Sequence, residues 1–346
     1  MLTLHGSARS AALLLAAIAL AQQGQEPRLP EDRLPRPLRS EIPRGFPELT
    51  DDGASPAQIE LGRRLFFEPR LSADRSISCA SCHDPEHGFA SREAFPPGAL
   101  GRRAARNAPT LFNRGWGRHH MWDGRSDSLE AQVLLPIENE LEMALPLEEA
   151  LERLRNDGPY AEEFATAFDA GPARESLASA LASFVRRLTL GDSPVDRFRA
   201  NDFSALDPDE RVGLWIYESK GACWRCHSGP NFTDEDFHAT GVGSREGLPE
   251  PGRFAVTGRA EDRGRFKTPT LRGLAFTTPY MHDGSLATLE DVVDFYARGG
   301  IASANLDSRI QPIELSEREK RSLVAFLRAL SRPARESAPA GEISAR

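Results

Sequence analysis

Cysteine is scarce in this chain, with four residues among 346. That is too few for a disulfide-stapled scaffold. Basic residues do not predominate: 43 Lys+Arg stand against 51 Asp+Glu, a formal charge of −8. Phosphate binding needs a basic surface, so nucleic acid is excluded as the main partner. Beyond the extreme N-terminus no apolar run approaches the roughly 20 residues of a membrane-spanning helix, so no span is expected in the mature chain. Alternating β-branched runs are almost absent, which leaves little expectation of strands. Hydrophobic residues make up 40% and charged residues 27%, values of a globular protein, not of a disordered or collagen-like one.

The N-terminus carries an apolar run from Ala11 to Leu20, too short to span a bilayer but suited to a secretory leader. Ala19-Leu20-Ala21 supplies a small-x-small site. Residues 1–21 are therefore expected to be a signal peptide cleaved near Ala21, with a periplasmic mature chain. Residues 22–54 are rich in proline and poor in periodic apolar positions, a linker or strap. A helix starts cleanly after Ser55, with Pro56 at its first position and Gln58 completing a capping box, and Pro69 lies beyond its end. Leu177, Leu181, Phe184 and Leu188 form another apolar stripe. Ser316 with Glu319 opens a helix carrying Leu323, Phe326, Leu327 and Leu330.

The chain repeats itself. Asn107-Ala108-Pro109-Thr110-Leu111 leads to Met121-Trp122-Asp123-Gly124 and Leu129-Glu130. Thr268-Pro269-Thr270-Leu271 leads to Met281-His282-Asp283-Gly284 and Leu289-Glu290, each matched position 160 residues later. Upstream of each block lies a Cys-x-x-Cys-His segment, preceded by a helix with Gly62 in one copy and Gly213 in the other. The expectation is an all-α fold of two tandem units with a pseudo-twofold internal repeat. Their bounds are residues 55–200 and 201–332, followed by a tail over 333–346.

Cys79-Ala80-Ser81-Cys82-His83 and Cys223-Trp224-Arg225-Cys226-His227 use every cysteine in the protein. This spacing is the signature of covalent c-type haem attachment. Two thiols reach the two vinyl groups of one porphyrin, and the next histidine supplies an axial nitrogen. A zinc ribbon needs its cysteine pairs about 15–20 residues apart, whereas 140 residues separate Cys82 from Cys223. A redox dithiol leaves both histidines unexplained. Two covalent haem c groups are expected, with His83 and His227 as proximal ligands.

The stretches SISCASCHDPEHGFA, RNAPTLFN, MWDGR, LEM, ACWRCHSGPNFTD and FKTPTLRGLAFTTPYMHDGSLATLEDVVDFY resemble the bacterial di-haem cytochrome c peroxidase superfamily, and within it the MauG-like branch. They cover most of residues 55–330 in the family's order. The resemblance implies two all-α cytochrome c-like domains, with a calcium ion and a tryptophan between their haems. It assigns Trp122 as that tryptophan, Glu142 as the distal carboxylate over the N-terminal haem and Gln132 as its polar neighbour. Asn107, with the backbone carbonyls of Thr277 and Pro279, matches the calcium positions, oxygen donors that suit a hard cation.

Two departures from the conventional peroxidases matter. Those enzymes carry a distal histidine between the first haem motif and RNAPT; here that place falls in Gly98-Ala99-Leu100. His87 is the only histidine in the interval, at a position where the family has no ligand. The resemblance then implies an N-terminal haem that is five-coordinate and open. The conventional enzymes also place an axial methionine seventeen residues after the proline of PYxHDG, which from Pro279 is Tyr296, and the MauG-like branch has tyrosine there. Met281, Tyr280 and His282 compete with Tyr296 for that role. The expected function is a periplasmic oxidoreductase that reduces hydrogen peroxide. Its electrons would come from a small cytochrome, a cupredoxin or a protein substrate. The alternative is an electron-transfer cytochrome without turnover, since a haem with two protein ligands carries electrons and an open one reacts with peroxide.

Overall fold

The computed structural model describes residue 46 and residues 53–331. The leader, nearly all of the proline-rich strap and the tail lie outside the described residues. Helices dominate, and among the described residues none is long and apolar enough to cross a membrane. The longer helices are α1 (Pro56–Phe66), α2 (Leu147–Arg155), α3 (Gly158–Phe168), α4 (Arg174–Arg186), α5 (Pro194–Arg199), α6 (Pro208–Glu218), α7 (Leu289–Ala297) and α8 (Glu317–Ala329). The expected capping boxes are present on α1, where Ser55 and Gln58 bond reciprocally, and on α8, with Ser316 and Glu319. The all-α expectation misses one feature, an antiparallel pair of three-residue strands. These are β1 (Phe237–Ala239) and β2 (Arg265–Lys267), with Phe237 opposite Lys267.

Two hydrophobic clusters organise these elements. One runs from Leu61 to Leu188, the other from Val195 to Leu330. Each is built on a pair of helices in close contact, α1 against α4 and α6 against α8. A glycine permits each approach. A Cβ on Gly62 would collide with the Ala180 carbonyl, and one on Gly213 with the Ser322 carbonyl. One turn further along, Phe66 meets Phe184 at a ring-centroid distance of 5.1 Å, and Tyr217 meets Phe326 at 5.0 Å. Aromatic pairs at this range add about 0.5–1.5 kcal/mol to the area they bury.

Some loops share local features. A bridge joins His120 to Ser126 in one copy and Tyr280 to Leu286 in the other. Met121 (φ 66°) and Met281 (φ 72°) both take the left-handed conformation within these hairpins. Ser128 then caps the turn Leu129–Gln132, as Thr288 caps α7. Core packing is the ordinary expectation for tryptophan, but Trp215 and Trp224 are 58% and 49% exposed. Trp215 lies on the outer face of α6, and Trp224 lies between the cysteines of the second motif.

Candidate haem sites

In the first motif Cys79–Cys82 forms one helical turn, and the His83 N–H donates to the Cys79 carbonyl at 2.9 Å. In the second, a tight turn over Cys223–Arg225 brings the His227 N–H to the Cys223 carbonyl at 3.0 Å. Cys79, Cys82 and His83 border one cavity of about 470 Å³. Cys223, Cys226 and His227 border another of about 240 Å³.

The side chains present fit a covalent haem in each cavity. All four cysteines are free thiols. Burial pushes Cys79, Cys82 and Cys223 up to about 12, so these thiols are protonated in the bare polypeptide. Nδ1 of His83 lies 3.1 Å from the Phe89 carbonyl, and Nδ1 of His227 lies 3.1 Å from that of Phe232. A carbonyl can only accept, so each Nδ1 carries the hydrogen and each Nε2 keeps its lone pair for a metal. Burial lowers His83 and takes His227 to about 4, so both imidazoles are neutral, as ligation requires.

Glu142 borders the larger cavity, with Gln132 and Trp122. Asn139 Nδ2 donates to Glu142 Oε1 at 2.8 Å. Burial raises the Glu142 carboxyl above its ordinary range, against the opposing pull of Arg125 and Asn139. Gln132 Nε2 lies 3.7 Å from Met121 Sδ. The segment carrying Glu142 is pinned from outside, since the Ala99 N–H donates to the Glu142 carbonyl at 2.7 Å and the Leu100 N–H to Asp74 at 2.6 Å. Neither Gly98, Ala99 nor Leu100 borders the cavity, and the Leu100 side chain is exposed. His87 does not border it either; its Nε2 bonds the Thr278 carbonyl at 2.5 Å.

Trp122, Asn107, Pro109 and Thr110 border both cavities. The Trp122 Nε1–H donates to the Asn107 carbonyl at 2.8 Å, and its ring meets His282 edge-on at 6.2 Å. Asn107 donates from Nδ2 to the Glu93 carbonyl at 3.0 Å, and with Thr277 and Pro279 it borders the smaller cavity.

All four competitors for the second axial position border that smaller cavity. The Tyr280 hydroxyl is already committed to the Leu274 carbonyl at 2.9 Å. His282 pairs with Glu250 at 3.2 Å and stacks on Phe266 at 3.6 Å. Burial raises the Tyr296 phenol well above its usual range, and Met281 stands in the adjoining hairpin.

Several neighbours escaped sequence reasoning. Arg125 borders the larger cavity and grips Asp123 with Nε at 2.9 Å and Nη2 at 2.6 Å; its place in MWDGR was the available signal. Asn139 stands three residues before Glu142, a spacing that suits a side-chain bond but does not demand one. Arg114, His120, Glu235 and Lys267 gather between the cavities across more than a hundred residues of sequence, where no local pattern reaches.

The family model for di-haem cytochrome c peroxidase matches residues 56–204. The chain is 39% identical over 290 residues to the methylamine utilization protein MauG of Methylorubrum extorquens, covering 83% of this chain and 82% of that one. It is 34% identical over 275 residues to cytochrome c551 peroxidase of Nitrosomonas europaea, covering 79% of each. Among solved structures, a MauG-like protein associated with microbial copper homeostasis superposes with a TM-score of 0.76 at 31% identity, over 89% of this chain and 95% of the other. Two haem-attachment motifs on two cavities, matched along most of the chain, make this protein a peroxidase-type oxidoreductase that belongs to the di-haem cytochrome c peroxidase family.

Proposed function

We propose that this chain works in the periplasm. It would reduce hydrogen peroxide at a haem held by Cys79, Cys82 and His83, and draw electrons through a second haem held by Cys223, Cys226 and His227. The observation that carries this reading is the larger cavity. It is bordered by a carboxyl of raised proton affinity, and the loop that holds a histidine in the conventional enzymes turns away from it. Each haem, when bound, would supply an iron: one to react with peroxide, the other to pass electrons on and hold an oxidising equivalent. Residues 55–200 and 201–332 would be the two haem domains.

The chain's own groups do the rest. His83 and His227 present Nε2, held in that tautomer by the Phe89 and Phe232 carbonyls. Glu142 takes the proton from the inner oxygen of peroxide and returns it to the outer one. Its raised affinity suits both halves of that transfer. Asn139 fixes one carboxyl oxygen and leaves the other for the proton. Gln132 offers a polar contact, and Arg125 limits how far the Glu142 carboxyl rises. Trp122, bordering both cavities, is the path for charge between them.

Tyr296 would hold the second haem together with His227, as the family resemblance implies; of its competitors Tyr280 and His282 are committed elsewhere, and Met281 borders the same cavity. A phenolate favours oxidised iron, which suits storage of an oxidising equivalent. A calcium ion held by Asn107 and the carbonyls of Thr277 and Pro279 would stiffen the ground beside Trp122. The electron source is a small cytochrome, a cupredoxin or a protein substrate.

Electron paramagnetic resonance of the ferric di-haem protein tests this. A high-spin signal altered by peroxide is expected, beside a low-spin signal that Tyr296→Phe changes. Two low-spin haems inert to peroxide would leave the electron-carrier reading in its place.

A further inference from the structure

A buried ion triad lies between the two cavities and has no part in the steps above. Arg114 borders the larger cavity and Lys267, at the end of β2, borders the smaller. Glu235 stands between them, accepting from Arg114 Nη1 at 2.8 Å and lying 3.4 Å from Lys267 Nζ. The three side chains are only 11%, 9% and 9% exposed. The Arg118 N–H also reaches Glu235, at 3.2 Å, and Lys267 Nζ donates to the Thr268 carbonyl at 3.1 Å.

The triad is unbalanced, with two cations on one carboxylate. Burying an uncompensated charge is costly, so the pair of cations depends on its neighbours, Asp234 among them, and on the proton that Lys267 carries. Burial disfavours the Glu235 carboxylate, but Arg114 and Lys267 outweigh it and hold it at about 2. Arginine is always charged. Burial, with Arg114 repulsion, brings Lys267 down to about 7 against the pull of Glu235. The ionisable groups facing that ammonium are Arg114, Glu235 and Asp234, with His120 from the hairpin, which burial keeps neutral at about 3.

We propose that Arg114, Glu235 and Lys267 couple the charge of the two haem sites: when an electron enters the second site, Lys267 takes a proton from solvent, and Glu235 relays the change to Arg114 at the first. This rests on the assignment of a haem to each cavity, and not on peroxide chemistry. The electron comes from the donor and the proton from water, so one negative charge is matched by one positive.

The sign follows from electrostatics at low dielectric. Negative charge arriving beside Lys267 raises its proton affinity, so reduction is easier at low pH. The second potential therefore falls as pH rises through about 7. Once Lys267 is neutral, Glu235 pairs with Arg114 alone and cancels its field, so the first potential falls in the same window.

Spectroelectrochemical titration of the di-haem protein, over about two pH units on either side of neutrality, tests this. Both potentials are expected to fall together, by at most about 59 mV per tenfold drop in proton concentration. Lys267→Met should flatten both. Lys267→Arg should flatten both at the level of the acid limit, and it serves in place of Lys267→Met if that variant fails to take up haem. Glu235→Gln should move the second slope to lower pH and uncouple the first. A flat wild-type profile, or a Lys267 variant that keeps the wild-type slopes, would overturn the proposal. Peroxide consumption by the same samples separates the two readings. An inert protein with the coupled profile loses only the peroxidase reading, and an active one with flat potentials loses only the triad.

Discussion

At the scale of single residues, Glu142 carries the sharpest consequence. Burial is the largest influence on its carboxyl and raises it, so the folded protein favours the protonated form. Such a group gives its full stabilisation below the unfolded value and loses it as pH rises through the folded one. Glu142→Gln keeps the size of the side chain and removes that loss. The variant should be at least as heat-stable as the parent near pH 7, while peroxide turnover falls about 10²–10⁴-fold. Melting curves and a peroxide assay read the two effects separately; unchanged turnover would remove Glu142 from the chemistry. Sequence reached this residue only through the LEM stretch, because a lone glutamate three positions after an asparagine looks like any solvated acid. The cysteines and the histidines beside them stand out in the sequence because their spacing is one that covalent haem attachment uses. Trp215 and Trp224 do not: nothing local distinguishes an exposed indole from a buried one.

At the scale of elements, the two glycines decide how near the helix pairs lie. Gly213 faces the Ser322 carbonyl across α8, and Gly62 faces that of Ala180 across α4. Alanine is a better helix former than glycine by about 1 kcal/mol, so a substitution in open space would stabilise the protein. Here the added methyl must force α6 from α8, and overpacking of this kind costs about 1–3 kcal/mol. Gly213→Ala is therefore expected to lower stability in chemical denaturation of the holoprotein, and a gain would show that the helices can part freely. Capped helices such as α1 and α8 could be read from the sequence because their signals lie within four residues. The strands β1 and β2 could not. Each has three residues, and their pairing is fixed by partners elsewhere, among them the Lys267 N–H that donates to the Trp122 carbonyl at 2.8 Å.

At the scale of the whole molecule, the two hydrophobic clusters are joined by polar contacts along their boundary. Asn113 donates to Asn231 at 3.0 Å, the Asn107 N–H to the His282 carbonyl at 2.9 Å, and Arg253 to the Asp123 carbonyl at 3.0 Å. Buried bonds of this kind are costly to break singly, so the two cores should melt together. Calorimetry of the holoprotein is expected to give one transition, and two resolved peaks would mean that each core stands alone. The internal repeat suggests two tandem units, but nothing local in the sequence announces that charged groups such as Arg114, Glu235 and Lys267 gather between the two cavities. The bond from the Trp122 Nε1–H to the Asn107 carbonyl lies there too. An amide oxygen accepts a hydrogen bond yet is far too weak a base to remove the proton. An indole that gave up an electron there would keep its hydrogen and return unchanged when the electron is restored, so in the role proposed for it Trp122 would act as a reversible wire, protected from consumption by its own traffic.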